Sequence, residues 1–229
     1  MVQEGEVAAL VSTLDAHAYD PVTIETGVTN VDWLKPRAVA HDRVVTWASD
    51  TTATIPLPMW TLFSDDDAIR TTLRDRAVVL GPQLQLLSDA REYTVRLFVD
   101  VPQVHAAATT LSPRLAEIAQ SLDQASPGQR YLLQRKLESE TKIEVRALIH
   151  QIGDACYDAL TPHALRSVRE TVPQGDGSYA TLNASFLVHG SQYDEFRRAL
   201  TAQVEQYGTR GFRFDFTGPW PAYHFARVA

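Results

Sequence analysis

Apolar residues recur along this chain in two rhythms, one helical and one strictly alternating, and the changes between them predict the elements. Glu6 to Thr13 is a short apolar run bounded by Gly5 and Asp15, which reads as a buried strand. Val22 and Ile24 alternate with polar neighbours between Pro21 and Thr26 and predict a second, exposed strand. Asp32 is placed to cap a helix whose Leu34, Ala38, His41, Val45 and Ala48 share a face, with Pro36 in the tolerant first turns. Thr54 to Trp60 contains Pro56 and Pro58 and is expected as an edge strand or an extended loop. Ser64 opens the next helix, with Asp65, Asp66 and Asp67 in the first turn and Ile69, Leu73, Ala77 and Leu80 behind them. Gly81-Pro82 should kink or break that helix, and Tyr93 to Val99 then alternates as a strand.

The second half is dominated by helical periodicity. Val104 to Leu122 is alanine-rich and helical, with an interruption at Ser112-Pro113, and Ser126-Pro127-Gly128 is a strong turn signal. A long charged helix is expected from about Gln129 to Leu160, ended by Pro162, with Tyr131, Leu132, Leu133, Leu137, Val145, Leu148, Ile149 and Ile152 on its apolar side. Arg166 to Val172 and Ala180 to Val188 read as antiparallel strands joined across Gln174 to Gly177. Ser191 to Tyr207 is an amphipathic helix stopped by Gly208, and Phe212, Phe214 and Phe216 alternate along a last strand. Strands and helices interleave without a regular βαβα rhythm, which favours an α+β fold. With the joint placed between Asp100 and Gly128, the expected domains are residues 1–100 and residues 101–229.

Composition narrows the function classes. The 229 residues are 45% hydrophobic and 21% charged, enough apolar mass for a sizeable core and too much for a disordered chain. Against 28 acidic residues stand 21 basic ones, and the net charge of -7 repels phosphate, so neither nucleic acid nor an anionic membrane is expected as a partner. No apolar run reaches the ~18 residues of a membrane span, and Val2 to Glu6 lacks the basic and apolar regions of a secretory signal. A cytoplasmic location is therefore expected. Cys156 is the single cysteine and excludes an intrachain disulfide.

Each candidate for chemistry has a structural explanation. Asp65, Asp66 and Asp67 could offer hard oxygen ligands to a divalent cation, but consecutive helical side chains diverge and the helix dipole favours acids there anyway. His41-Asp42 has no second histidine at ligand spacing, and the other histidines are scattered. Cys156 carries no catalytic signature, and Gly175-Asp176-Gly177 reads as a hairpin turn rather than a dinucleotide loop. No catalytic group, metal or cofactor is expected. What stands out is the C-terminal tail, where Pro219 and Pro221 stiffen the backbone around Trp220, and Tyr223 and Phe225 follow. Such a tail is either a plug laid into the core or a preorganised docking surface. If the Trp220 ring is buried, truncation to alanine costs about 3–5 kcal/mol.

These residues also carry a family resemblance. Gly211 to Phe225, with Thr217-Gly218-Pro219-Trp220-Pro221-Ala222-Tyr223 at its centre, resembles the terminal motif of the gas vesicle synthesis proteins GvpL and GvpF. There the motif reads Thr-Gly-Pro-Trp-Pro-Pro-Tyr-x-Phe, so Ala222 replaces a proline. Leu182 to Val188 resembles the family's Leu-Asn-Ala-x-Phe-Leu-Val strand, and Pro127 to Lys136 its Pro-Gly-x-x-Tyr-Leu-Leu-x-Arg-Lys helix start. The N-terminal half matches more loosely, and Met59-Trp60 stands where many members carry Phe-Gly. Members usually begin with a strand of the Tyr-x-Tyr-Gly-Ile type ahead of the segment starting here at Gly5. Its absence would leave an open sheet edge beside Ala8 to Ser12 and predicts self-association.

The resemblance implies an N-terminal modified ferredoxin-like domain and a second α+β domain with long helices. It implies a non-enzymatic accessory protein that engages the hydrophobic gas vesicle shell protein and other accessory proteins during nucleation or early assembly. Gly218, Pro219, Trp220, Pro221, Tyr223 and Phe225 are then family-motif residues with a structural or docking role. A small-molecule-binding or regulatory α+β domain is the alternative, and a pocket of convergent polar groups would distinguish it.

Overall fold

A computed structural model describes residues 1–172 and 179–226 and divides the chain into two compact units. The first contains Met1–Arg91 and the tail from Trp220 onward, and the second contains Glu92–Pro219. The division therefore falls between Arg91 and Glu92 rather than after Asp100, and the tail returns to the N-terminal unit. The expected turn at Gln174 to Gly177 lies outside the described residues.

The first unit is mostly helical. Its strands, β1 (Val2–Glu4) and β2 (Val7–Ala9), form an antiparallel hairpin in which Gln3 faces Ala8. Gly5, at φ +60°, supplies the left-handed residue that a two-residue hairpin loop needs. The run expected as one buried strand over Glu6 to Thr13 is thus a three-residue strand followed by exposed chain, and β1 pairs one edge of it. Pro21 to Thr26 is not a strand but part of helix α1 (Pro21–Gly27). Asp20 caps it by accepting hydrogen bonds from the Val22 and Thr23 amides, with Pro21 at the first helical position. Helix α2 (Val31–Thr51) is capped by Asn30, two residues before the expected Asp32.

Helix α3 (Asp66–Asp75) is capped by Asp65 rather than Ser64, and its carboxylate accepts from the Ala68 amide at 2.8 Å. That backbone bond, with a second from the Ser64 hydroxyl, holds the Asp65 carboxyl below its ordinary value. The break that Gly81-Pro82 was expected to impose comes instead at Arg76, where φ -101° and ψ 6° leave the helical well. Helix α4 (Ala77–Leu87) runs through Gly81 and Pro82, which lie on its exposed side. Helix α3 packs on the β1–β2 hairpin, and Arg74 pairs with Glu4 at 2.9 Å.

The second unit holds the principal sheet. Strands β3 (Ala90–Val99), β4 (Arg166–Arg169), β5 (Tyr179–His189) and β6 (Phe212–Trp220) lie in the order β4-β5-β3-β6. β4 and β5 are antiparallel, with Arg166 opposite Leu187. Thr94 meets Ser185 and Arg96 meets Asn183, so β3 and β5 are antiparallel as well. Three helices follow β3: α5 (Val101–Leu111), α6 (Pro113–Asp123) and α7 (Pro127–Leu160), and α8 (Tyr193–Tyr207) joins β5 to β6. With α7 and α8 as crossovers this is the βαββαβ order of a ferredoxin-like sheet. The α+β class holds, but the ferredoxin-like arrangement lies in the second unit, while among the described residues the N-terminal unit forms just the small hairpin.

Alternation explains the core. Tyr93, Val95, Leu97 and Val99 of β3 and Leu182, Ala184, Phe186 and Val188 of β5 point to one face. Val145, Ile149, Ile152, Cys156 and Leu160 of α7 and Phe196 and Leu200 of α8 cover them. The opposite face is polar: the Ser185 hydroxyl donates to Glu170 at 2.6 Å and lies 3.3 Å from that of Thr94, and Arg96 donates to Asn183. Helix α8 meets Gly208 in a right-handed conformation, and the left-handed turn comes at Gly211, φ +92°. A Cβ on Gly211 would lie 2.7 Å from the Val104 amide nitrogen and 2.9 Å from the Asp100 carbonyl oxygen, both backbone atoms that cannot step aside. Gly211→Ala should therefore cost at least about 1–3 kcal/mol by chemical denaturation; a variant as stable as the parent would show that the turn relaxes freely.

Candidate functional site

The conspicuous motif of the sequence is split by the division of the chain. Gly218 and Pro219 end the second unit, joined by a cis peptide bond. Gly218 adopts φ +124°, and a Cβ there would sit 2.8 Å from the Glu92 carbonyl oxygen and 2.9 Å from the Tyr93 ring, so only glycine lets β6 lie this close to β3.

From Trp220 onward the tail belongs to the first unit and is anchored at alternate points. Pro221, Ala222, Phe225 and Ala226 are buried. The Tyr223 hydroxyl donates to the Asp42 carboxylate of α2 at 2.9 Å, and the Gln83 amide of α4 donates to the Phe225 carbonyl. Trp220 remains 44% exposed and Tyr223 39%, whereas Phe225 is only 7% exposed. The tail thus buries the Phe225 ring and leaves the rings of Trp220 and Tyr223 partly exposed. The crevice beneath it, lined by Ser49, Leu87, Trp220 and Ala222 among others, is about 10 Å³, room for roughly one water.

The same unit exposes further apolar residues. On α2, Val44 and Trp47 point outward one turn apart, and Trp47 is 61% exposed. Leu57, Leu62 and Phe63 are exposed in the loop before α3. The same unit holds an aromatic cluster that local sequence did not reveal. Trp33 and Trp60 stack at 5.2 Å between centroids, Tyr19 leans on both, and the Arg37 guanidinium lies 4.1 Å above the Trp33 ring. Trp60 takes φ +73°, a left-handed conformation that suits the glycine expected of relatives at that position. The only sequence signals were Arg37 one turn after Trp33, and Gly27, where a Cβ would collide with the Trp33 ring at 2.4 Å.

Several of the candidates for chemistry have local partners. Asp65 is a cap, and Asp67 pairs with Arg70 at 3.0 Å. Asp42 accepts from Tyr223, and His41 beside it is half-buried. Cys156 is fully buried in the second unit, and burial pushes its thiol up to about 12, which leaves no thiolate to attack or ligate near neutral pH. Among the described residues no three His, Cys, Asp or Glu side chains gather as a metal site, and no helix is long and apolar enough to cross a membrane.

The exposure pattern sets the cost of truncating the tail. With its ring half in solvent, Trp220→Ala should cost well under the ~3–5 kcal/mol of a buried tryptophan, while Phe225→Ala should approach it. Paired thermal melts would show the order; a larger loss for Trp220→Ala would contradict the placement.

The comparisons agree with this architecture. The family model described as gas vesicle synthesis protein GvpL/GvpF matches residues 1–227. The chain is 25% identical to gas vesicle protein L of Streptomyces sp. (strain CB03234) over 232 aligned positions, covering 100% of this chain and 83% of that one. Crystal structures of GvpF are similar in fold. That from Anabaena sp. PCC7120 gives a TM-score of 0.59 at 18% identity, covering 85% of this chain and 76% of the other. That from Microcystis aeruginosa gives 0.55 at 19% identity, covering 83% and 78%. A family match across nearly the whole chain, on the same mixed helix-and-sheet fold, leads to one conclusion: this chain belongs to the gas vesicle synthesis protein GvpL/GvpF family.

Proposed function

We propose that this protein is a cytoplasmic, non-catalytic accessory factor of gas vesicle assembly. It binds the small hydrophobic shell subunit directly, alongside other accessory proteins, and supports nucleation or early assembly. The observation that carries this reading is the family match over residues 1–227. The apolar surface of the first unit supports it: Val44, Trp47, Leu62, Phe63 and the exposed ring of Trp220 offer an apolar client the contacts it lacks in water. The net charge of -7 serves solubility while a client is held, rather than recognition. Self-association through the hairpin stays part of this proposal, because β1 pairs one edge of β2 and, among the described residues, no strand pairs the other.

An apolar contact has a salt signature. Tagged protein co-expressed with the shell subunit should capture it at low salt and retain it at high salt, because screening weakens exposed charge pairs and leaves apolar burial intact. Trp47→Asp should reduce the capture. Deleting the gene, with no related gene to substitute, should abolish buoyant vesicles. No capture at either salt concentration, or normal vesicles in the deletion strain, would overturn the proposal.

A further inference from the structure

We propose that the groove between α5, α7 and α8 in the second unit binds the C-terminal carboxylate of a peptide ending in an aliphatic residue. The groove is about 250 Å³, below the usual range of drug-sized pockets and suited to one side chain with its terminal carboxylate. Its apolar wall is Leu111, Leu148 and Ile152, of which the last two are buried, and they match a Leu, Ile or Val side chain. This site stands apart from the apolar surface of the first unit and does not depend on the role proposed for it.

The polar side of the groove selects an anion. Arg210 lines it half-buried, and among the described residues no carboxylate pairs with its guanidinium. A planar guanidinium donates two parallel hydrogen bonds to a carboxylate. Beside it, the Tyr207 hydroxyl accepts from the Gln206 side-chain amide at 3.0 Å, which leaves its own proton for an incoming oxygen. Burial raises the Tyr207 phenol above its ordinary value, so that proton is held through the physiological range.

The same lining chooses between sources of an aliphatic carboxylate. A free amino acid carries an ammonium group that needs an acidic partner, and no acidic residue lines the groove. A peptide terminus carries a neutral amide there instead, which the carbonyl oxygen of Gln151 or Gln206 at the rim can accept. The lining thus favours the end of a chain over a free amino acid.

Calorimetric titration of the full chain with acetyl-Gly-Ala-Leu tests this, set against the same peptide as its C-terminal amide and against free leucine. The free-acid peptide should bind, the amide at least about tenfold more weakly, and leucine more weakly than the peptide. Arg210→Gln should erase the preference for acid over amide without lowering the melting temperature. Ala155→Trp, at an exposed position of the lining, should block the groove and abolish binding with the fold intact. Equal binding of acid and amide, leucine binding as tightly as the peptide, no binding of the acid, or binding unchanged in both variants would each overturn the proposal.

Discussion

The packing of α7 on the apolar face of β3 and β5 is the contact on which the second unit depends. A four-stranded sheet has two faces, and here alternation assigns one to Val95, Leu97, Leu182 and Phe186 and the other to Thr94, Arg96, Asn183 and Ser185. A slip of one residue in either strand would turn the polar row into the helices and the apolar row out of them. Phe186 is surrounded by aromatic neighbours, Phe196 at 5.3 Å and Tyr157 at 5.7 Å, so the ring fixes strand and helices together. Helix α7 spans 34 residues, but its buried side chains begin at Thr141, and Tyr131 and Leu132, expected on its apolar side, are exposed. The first half of the helix packs against α6, whose Arg114 pairs with Glu140 at 2.7 Å.

The first unit is built differently, and the difference bears on function. It has no extended sheet, its strands are three residues long, and it leaves Val44, Trp47, Leu57, Leu62 and Phe63 exposed. Its interior instead uses separate anchors: the hairpin under α3, the Tyr19–Trp33–Trp60 cluster, and the tail seated by Phe225 and the Tyr223–Asp42 bond. Exposed apolar residues of this kind are a common mark of interaction surfaces.

Most of the second unit was legible in sequence because its signals are long or strongly periodic. The alternation of Tyr93 to Val99, the apolar stripe of α7 and the Ser112-Pro113 interruption each named an element within a few residues. The first unit misled at short range. Val22 and Ile24 alternate like a strand, but the Asp20-Pro21 pair is a helix start, and a capping carboxylate outweighs a three-position pattern. Gly81-Pro82 looked like a break, yet on the exposed side of a helix its cost is tolerated. The ferredoxin-like order was assigned to the wrong unit because strand pairing across the sheet is set by contacts distant in sequence. In the candidate site, the proline-flanked motif was visible in sequence. Which ring faces solvent was not, since the Asp42 and Gln83 partners lie far away along the chain.

Hydroxyl-radical footprinting of the purified chain, with and without the shell subunit, tests the proposed client contact most directly, because it reads side chains rather than affinity. Trp47, Trp220 and Tyr223 are all exposed in the free protein and should each lose labelling at saturating subunit, while Tyr131, exposed on α7 in the other unit, should label equally in both states. Protection of Tyr131 with Trp47 and Trp220 unchanged, or no protection anywhere, would contradict it.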